Sequence, residues 1–227
     1  MANQLDLEEQ EQLDQLKHFW KQYGNLITWG LIVVLGAVAS WNGYHAWQRS
    51  QAVQAAAMFD EVEKVVRGGD AQKAERAFND MKDRFAKTAY TQQVGLLVAK
   101  MTYEAGKVDA AKSTLNWLVE NAADKGYASV ARLRLSALLV DAKSYDEAAK
   151  VLSVGISDEF SALADDRRGD IFALQGKKPE AKAEYQKAFQ GLDEQSEYRR
   201  LIVVKLNALG VDPLAGTKTT ANVEVAK

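Results

Sequence analysis

The chain has 227 residues, 35 of them alanine, two proline and none cysteine, with 47% apolar and 26% charged side chains. That composition excludes collagen-like and proline-rich disordered chains, favours helix, and removes disulfides, thiolate metal sites and thiol nucleophiles. The formal charge of −2 divides into −3 over residues 1–21 (five acids against Lys17 and Lys21) and +1 over residues 48–227 (27 bases against 26 acids), so neither part has a basic footprint for nucleic acid.

Residues 1–21 read as a short acidic tail. No formal charge follows for 27 residues, 22 to 48. From Leu26 to Ala46 the chain is 21 residues long and mostly apolar, which is about 31 Å of helix and matches a hydrocarbon core of roughly 30 Å. Four of the five tryptophans flank or enter this stretch: Trp20 and Trp29 towards one end, Trp41 and Trp47 at the other, with Tyr23 and Tyr44 beside them. Trp and Tyr favour the headgroup level, where the ring is dry and the polar tip is wet. A signal peptide would begin basic and have a shorter apolar stretch. The expectation is an uncleaved transmembrane anchor over residues 22–48, although Ala52-Val53-Gln54-Ala55 has the small residues a cleavage site needs. Lys17 and Lys21 before the span and Arg49, Lys64 and Arg67 after it leave the orientation undecided by charge. Gly36 and Ser40, like Ala39 and Gly43, are four residues apart and would let another membrane helix approach closely.

Behind the anchor the chain repeats itself. Four turns share a pattern that ends in alanine: Gly69 to Ala74, Gly106 to Ala111, Lys143 to Ala148 and Gly176 to Ala181, with the alanines 37, 37 and 33 apart. Twelve residues before the last three alanines stand the small residues Ala99, Ser136 and Gly169. Four residues after each alanine comes a large one: Phe78, Leu115, Leu152 and Tyr185. This is the pattern of tetratricopeptide repeats, in which small residues let paired helices approach and the large residue fills the gap between neighbouring repeats. The predicted fold is all-α, a transmembrane helix followed by a repeat solenoid over residues 49–210. A capping helix over Tyr198–Leu209 ends at Gly210, and residues 211–227 form a loose tail.

Residues that would support catalysis are sparse. His18 and His45 lie at opposite ends of the anchor, and neither a zinc spacing, a nucleophile elbow nor a phosphate loop is present. Asp165-Asp166 beside Arg167-Arg168 reads as a solvated face of mixed charge. No enzyme activity, cofactor or metal is expected. Repeats of this kind hold extended peptide on the face lined by their first helices. In this register the inward positions include Leu96, Lys100 and Tyr103, then Leu133 and Arg134. They combine apolar contact with positive charge, suiting unfolded or acidic chain. The Lys and Asn clamp of cytosolic chaperone-binding repeats is not formed, because Leu96 and Lys100 occupy its places.

Three stretches carry a family resemblance: Leu16-Lys17-His18-Phe19-Trp20-x-x-Tyr23-Gly24, Trp41-x-x-Tyr44-x-x-Trp47, and Tyr127-Ala128-Ser129-Val130-Ala131-Arg132-Leu133-Arg134-Leu135. With the acidic start, they make the chain resemble the YfgM family of ancillary Sec-translocon subunits from about residue 8 to 209. The resemblance implies a single-pass inner-membrane protein with a cytoplasmic N-terminus and periplasmic repeats. It also implies contact with the SecYEG translocon, with a membrane-anchored periplasmic chaperone of the prolyl-isomerase type, and with unfolded secretory proteins. The competing expectation is a membrane-tethered scaffold for envelope assembly or stress signalling that binds no clients.

Overall fold

The computed structural model describes residues 7–215; residues 1–6 of the acidic tail and 216–227 of the C-terminal tail lie outside the described residues. In chain order the helices are α1 (Leu7–Arg67), α2 (Ala71–Phe85), α3 (Ala89–Glu104), α4 (Val108–Asn121), α5 (Lys125–Asp141), α6 (Tyr145–Val151), α7 (Asp158–Leu174), α8 (Lys178–Gly191) and α9 (Glu197–Ala208). No strand occurs among the described residues. Contacts divide the chain into Met1–Gln51 and Ala52–Lys227, and the division falls inside α1.

The first unit, as far as it is described, is helix alone. Its apolar residues have no protein to cover them: Leu26 is 73% exposed, Val33 66% and Trp41 67%. Apolar surface in water costs about 25 cal/mol per Å², so this face belongs in lipid. Among the described residues α1 is the one helix long and apolar enough to cross a membrane.

The second unit is built from helix pairs. The end of α1 packs with α2, then α3 with α4, α5 with α6 and α7 with α8, while α9 closes the last pair. The repeated alanines Ala74, Ala111, Ala148 and Ala181 are all fully buried. The large residues four positions on, Phe78, Leu115, Leu152 and Tyr185, are buried beside them. Phe78 shows why the spacing matters. It reaches across to the next repeat, where a Cβ on Gly95 would lie 3.0 Å from its ring.

The turns repeat as faithfully as the core. A residue with left-handed backbone recurs at Gly69, Gly106, Lys143 and Gly176. After it the next amide bonds back to a carbonyl of the preceding helix: Lys107 N to Thr102 O at 2.8 Å, Ser144 N to Leu139 O at 2.8 Å and Lys177 N to Phe172 O at 2.9 Å. These bonds satisfy carbonyls that the helix end leaves open and set the reversal into the partner helix. Lys143 holds φ at 58° without glycine's freedom, a conformation that costs an L-residue roughly 1–2 kcal/mol.

Two substitutions test this packing with opposite signs. At Gly169 an added Cβ would sit 2.5 Å from the Tyr185 ring. Gly169→Ala should therefore destabilise by about 1–3 kcal/mol, although alanine is the better helix former by about 1 kcal/mol. Lys143→Gly should stabilise by about 1 kcal/mol, because it relieves the left-handed strain. Thermal melts of the detergent-solubilised chain, followed by circular dichroism, should move down for the first and up for the second.

Candidate functional site

Three ties hold α3 beside α5. Asp124 caps α5, its carboxylate accepting from Gly126 N at 2.7 Å and Tyr127 N at 3.3 Å. The buried Gln92 of α3 accepts from the Asp124 amide at 3.3 Å, so the cap of one helix is fixed to the body of the other. One turn further along α3, Arg134 Nη1 donates to the Leu96 carbonyl at 2.8 Å. Near the helix ends the Tyr103 hydroxyl donates to Asp141 Oδ2 at 2.6 Å.

Below the second tie the helices part around a groove of about 340 Å³. Ala99, Ala137, Leu115 and Leu138 supply its apolar lining, and Lys100, Tyr103, Arg134 and Asp141 supply its polar groups. Arg134 has no carboxylate within ion-pair distance among the described residues, and Lys100 meets only Glu104, at 3.7 Å with both side chains well exposed. A surface pair of that kind contributes little. The hydrogen bond to the Asp141 carboxylate raises the Tyr103 pKa, so the phenol stays protonated and keeps donating. Partial burial of Arg134 acts the other way and lowers its pKa. Arginine nonetheless remains charged at physiological pH.

Of the five candidate contacts, Lys100, Tyr103 and Arg134 meet in this groove. Leu96 and Leu133 do not. Leu96 is buried within the core with Leu115 and Leu135, and Leu133 packs against the same cluster. Leu96 serves the groove through its carbonyl instead. Asp141 escaped the sequence reading, although it lies 38 residues after Tyr103, the same offset that separates Leu96 from Arg134. One repeat plus one residue is the signal that would have found it. On α1, a Cβ at Gly36 would meet nothing within 4 Å, and Ser40 is exposed, so that side of the helix is open to a neighbour.

The tetratricopeptide repeat-like domain family matches this chain from residue 17 to residue 211, anchor and solenoid together. The chain belongs to that family. It is also similar along nearly its whole length to proteins named ancillary SecYEG translocon subunit. The Neisseria gonorrhoeae protein is 28% identical over 207 residues, covering 89% of this chain and 98% of the relative. The Haemophilus influenzae protein is 29% identical over 203 residues, with 89% and 98% covered. The Escherichia coli protein is 22% identical over 206 residues, with 89% and 97% covered.

At its C-terminal end the tetratricopeptide repeat-like domain departs from the expected solvated face. Asp166 is 2% exposed, and it accepts from Lys205 at 2.7 Å and from the Tyr198 hydroxyl at 2.6 Å. Lys205 also reaches Asp170 at 2.7 Å, and Tyr185 donates to Asp170 at 2.8 Å. Arg168 pairs with Asp165, with Glu184 at 2.8 Å and with the Leu152 carbonyl at 2.8 Å. The physical reason is α9: once this helix docks, its Lys205 neutralises acids that a solvent-facing helix would leave to water. The acids are consumed by bases, and no group of three or more residues arranged for a metal ion occurs among the described residues. Burial raises the Asp165 pKa against the opposing pull of Arg168.

Burial, followed by the bond to Asp166, pushes the Tyr198 hydroxyl well above its ordinary pKa of 10.0, and burial with Asp170 does the same to Tyr185. Both phenols are thus favoured protonated in the folded chain. The stability they contribute is complete below pH 10 and is lost as the pH rises beyond that value. Denaturation midpoints should fall on the alkaline side, and Tyr198→Phe should flatten that fall while lowering stability at neutral pH.

Proposed function

We propose that the chain is a non-catalytic, membrane-anchored adaptor of the Sec translocon that links emerging secreted proteins to periplasmic chaperones. The observation that carries this reading is the similarity to ancillary SecYEG translocon subunits over 89% of the chain, which includes the anchor as well as the repeats. In this reading the acidic tail is cytoplasmic, residues 22–48 cross the inner membrane and stay attached, and the solenoid of residues 49–210 works in the periplasm. The Gly36 and Ser40 side of the span offers a close contact to a translocon helix.

The groove fits a carrier. An extended client chain would lay apolar side chains on Leu115 and Leu138, while the spare donors of Arg134 take its carbonyls or acidic groups. Such contacts are few and partly wet, which suits brief holding and hand-over to a membrane-anchored prolyl-isomerase-type chaperone. One observation favours a second reading, a scaffold that binds no clients. Arg134 and Tyr103 are already engaged as ties between α3 and α5.

Site-specific crosslinking in membranes, with the neighbours identified by mass spectrometry, separates the two. Wild-type chain should crosslink from the groove to a translocating protein, and Arg134→Glu with Tyr103→Ala should reduce that several-fold. Contacts made through the anchor should persist. Unchanged client crosslinking in a folded double variant favours the scaffold. Protease added to spheroplasts should digest the repeats and leave a membrane-held N-terminal fragment; protected repeats would overturn the orientation.

A further inference from the structure

The turn of α1 just before the apolar span carries a feature that the adaptor reading does not use. Lys17 and Lys21 stand four residues apart, with Leu16 and Trp20, also four apart, beside them. The four side chains border one shallow recess on the helix surface. Trp20 does not project freely. Its indole lies over the following turn, close enough that a Cβ on Gly24 would come within 3.1 Å of the ring, and Gly24 is buried beneath it. The Gly24 carbonyl also accepts from Thr28 Oγ1 at 2.7 Å. The indole is thereby laid along the helix towards the apolar span, and both lysines border the same recess.

The charges are ordered along the axis. Among the described residues Lys17 pairs only with Asp14, at 3.0 Å with both side chains 75% exposed, and Lys21 has no carboxylate partner. The acids lie at Asp14 and earlier, on the far side of the lysines from the membrane. Lys21 precedes Leu26 by five residues, about 7.5 Å of helix. A headgroup layer is about 5–8 Å deep on each side of the hydrocarbon. Lys21 therefore falls at phosphate level, and the flexible stem of Lys17, one turn farther out, is long enough to reach that level once it leaves Asp14. At the other end of the uncharged span Arg49 stands without a second cation one turn away.

We infer that Leu16, Lys17, Trp20 and Lys21 form a binding site for the headgroup of an anionic phospholipid. The phosphate accepts from the two ammonium groups, and the glycerol region rests on the indole that Gly24 holds in place. Charge complementarity selects this occupant over a partner helix, because the recess presents two cations, one without a carboxylate partner.

The test uses the full chain in vesicles of phosphatidylcholine containing one-tenth phosphatidylglycerol. After partial delipidation, the phospholipid still bound to the protein is measured by mass spectrometry. Wild-type chain should retain phosphatidylglycerol about fivefold above its bulk share, and less at high salt. Lys17→Gln with Lys21→Gln should return retention to the bulk ratio without loss of helix, since both side chains are on the surface. Gly24→Leu, which keeps both lysines but displaces the indole, should reduce the enrichment. Retention at the bulk ratio in wild-type chain, or equal enrichment in the double lysine variant, overturns the inference. So does a crosslink between two copies at Leu16 that persists in phosphatidylglycerol, because protein would then fill the recess.

Discussion

The solenoid depends on how closely two helix backbones can approach at the same place in every repeat. Ala74, Ala111, Ala148 and Ala181 leave no side-chain volume beyond a methyl group at the crossing, and each is completely buried. In the first helix the matching position holds Ala99, Ser136 or Gly169. A close crossing removes bulk, so something else must supply apolar area. Phe78, Leu115, Leu152 and Tyr185 supply it one turn later, where the helices diverge. The same economy decides where function can sit. Surface that is spent on stacking cannot bind, and the groove lies where the first helices of two repeats part again.

This division explains what could be read in advance. The turn-plus-alanine pattern is local and recurs, so helix pairing and the buried positions follow from spacing alone. The anchor is equally legible, because an uncharged stretch of that length has few uses in water. The groove is less legible. Repeat register places Lys100, Tyr103 and Arg134 together, but it does not say that Leu96 turns into the core or that Leu133 packs against it. Nor could it show that Asp141 holds Tyr103. Those facts depend on the sideways offset between neighbouring repeats, which only the packed structure sets. Asp165 and Asp166 misled for a related reason. Their neighbours in sequence are arginines, whereas the cation that settles Asp166 comes from α9, 39 residues later.

The groove and the C-terminal network use charge in contrasting ways. Around Asp166 and Asp170 the polar groups are matched donor to acceptor, which makes the network rigid and specific to one arrangement. In the groove the matching stops early. Arg134 spends one nitrogen on a carbonyl and has no ion pair among the described residues, and Lys100 holds its acid loosely. One solenoid thus holds charged residues that are fully matched and others, in the groove, that keep donors to spare.

The brevity of α6 carries a consequence of another kind. It spans seven residues, Tyr145–Val151, where its counterparts α2, α4 and α8 span 14 or 15. So short a helix ends with carbonyls that it cannot satisfy itself. Arg132 from α5 reaches the Val151 carbonyl at 3.4 Å, and Arg168 from α7 reaches that of Leu152 at 2.8 Å. The shortest of the described helices is therefore held from both sides by its neighbours. In a stack where each unit touches only the next, a weak unit would ordinarily be a fault line at which the two halves fray apart. Here an arginine from either flank bridges it and α5 also packs directly on α7, so the two sides of α6 are joined by more than α6 itself.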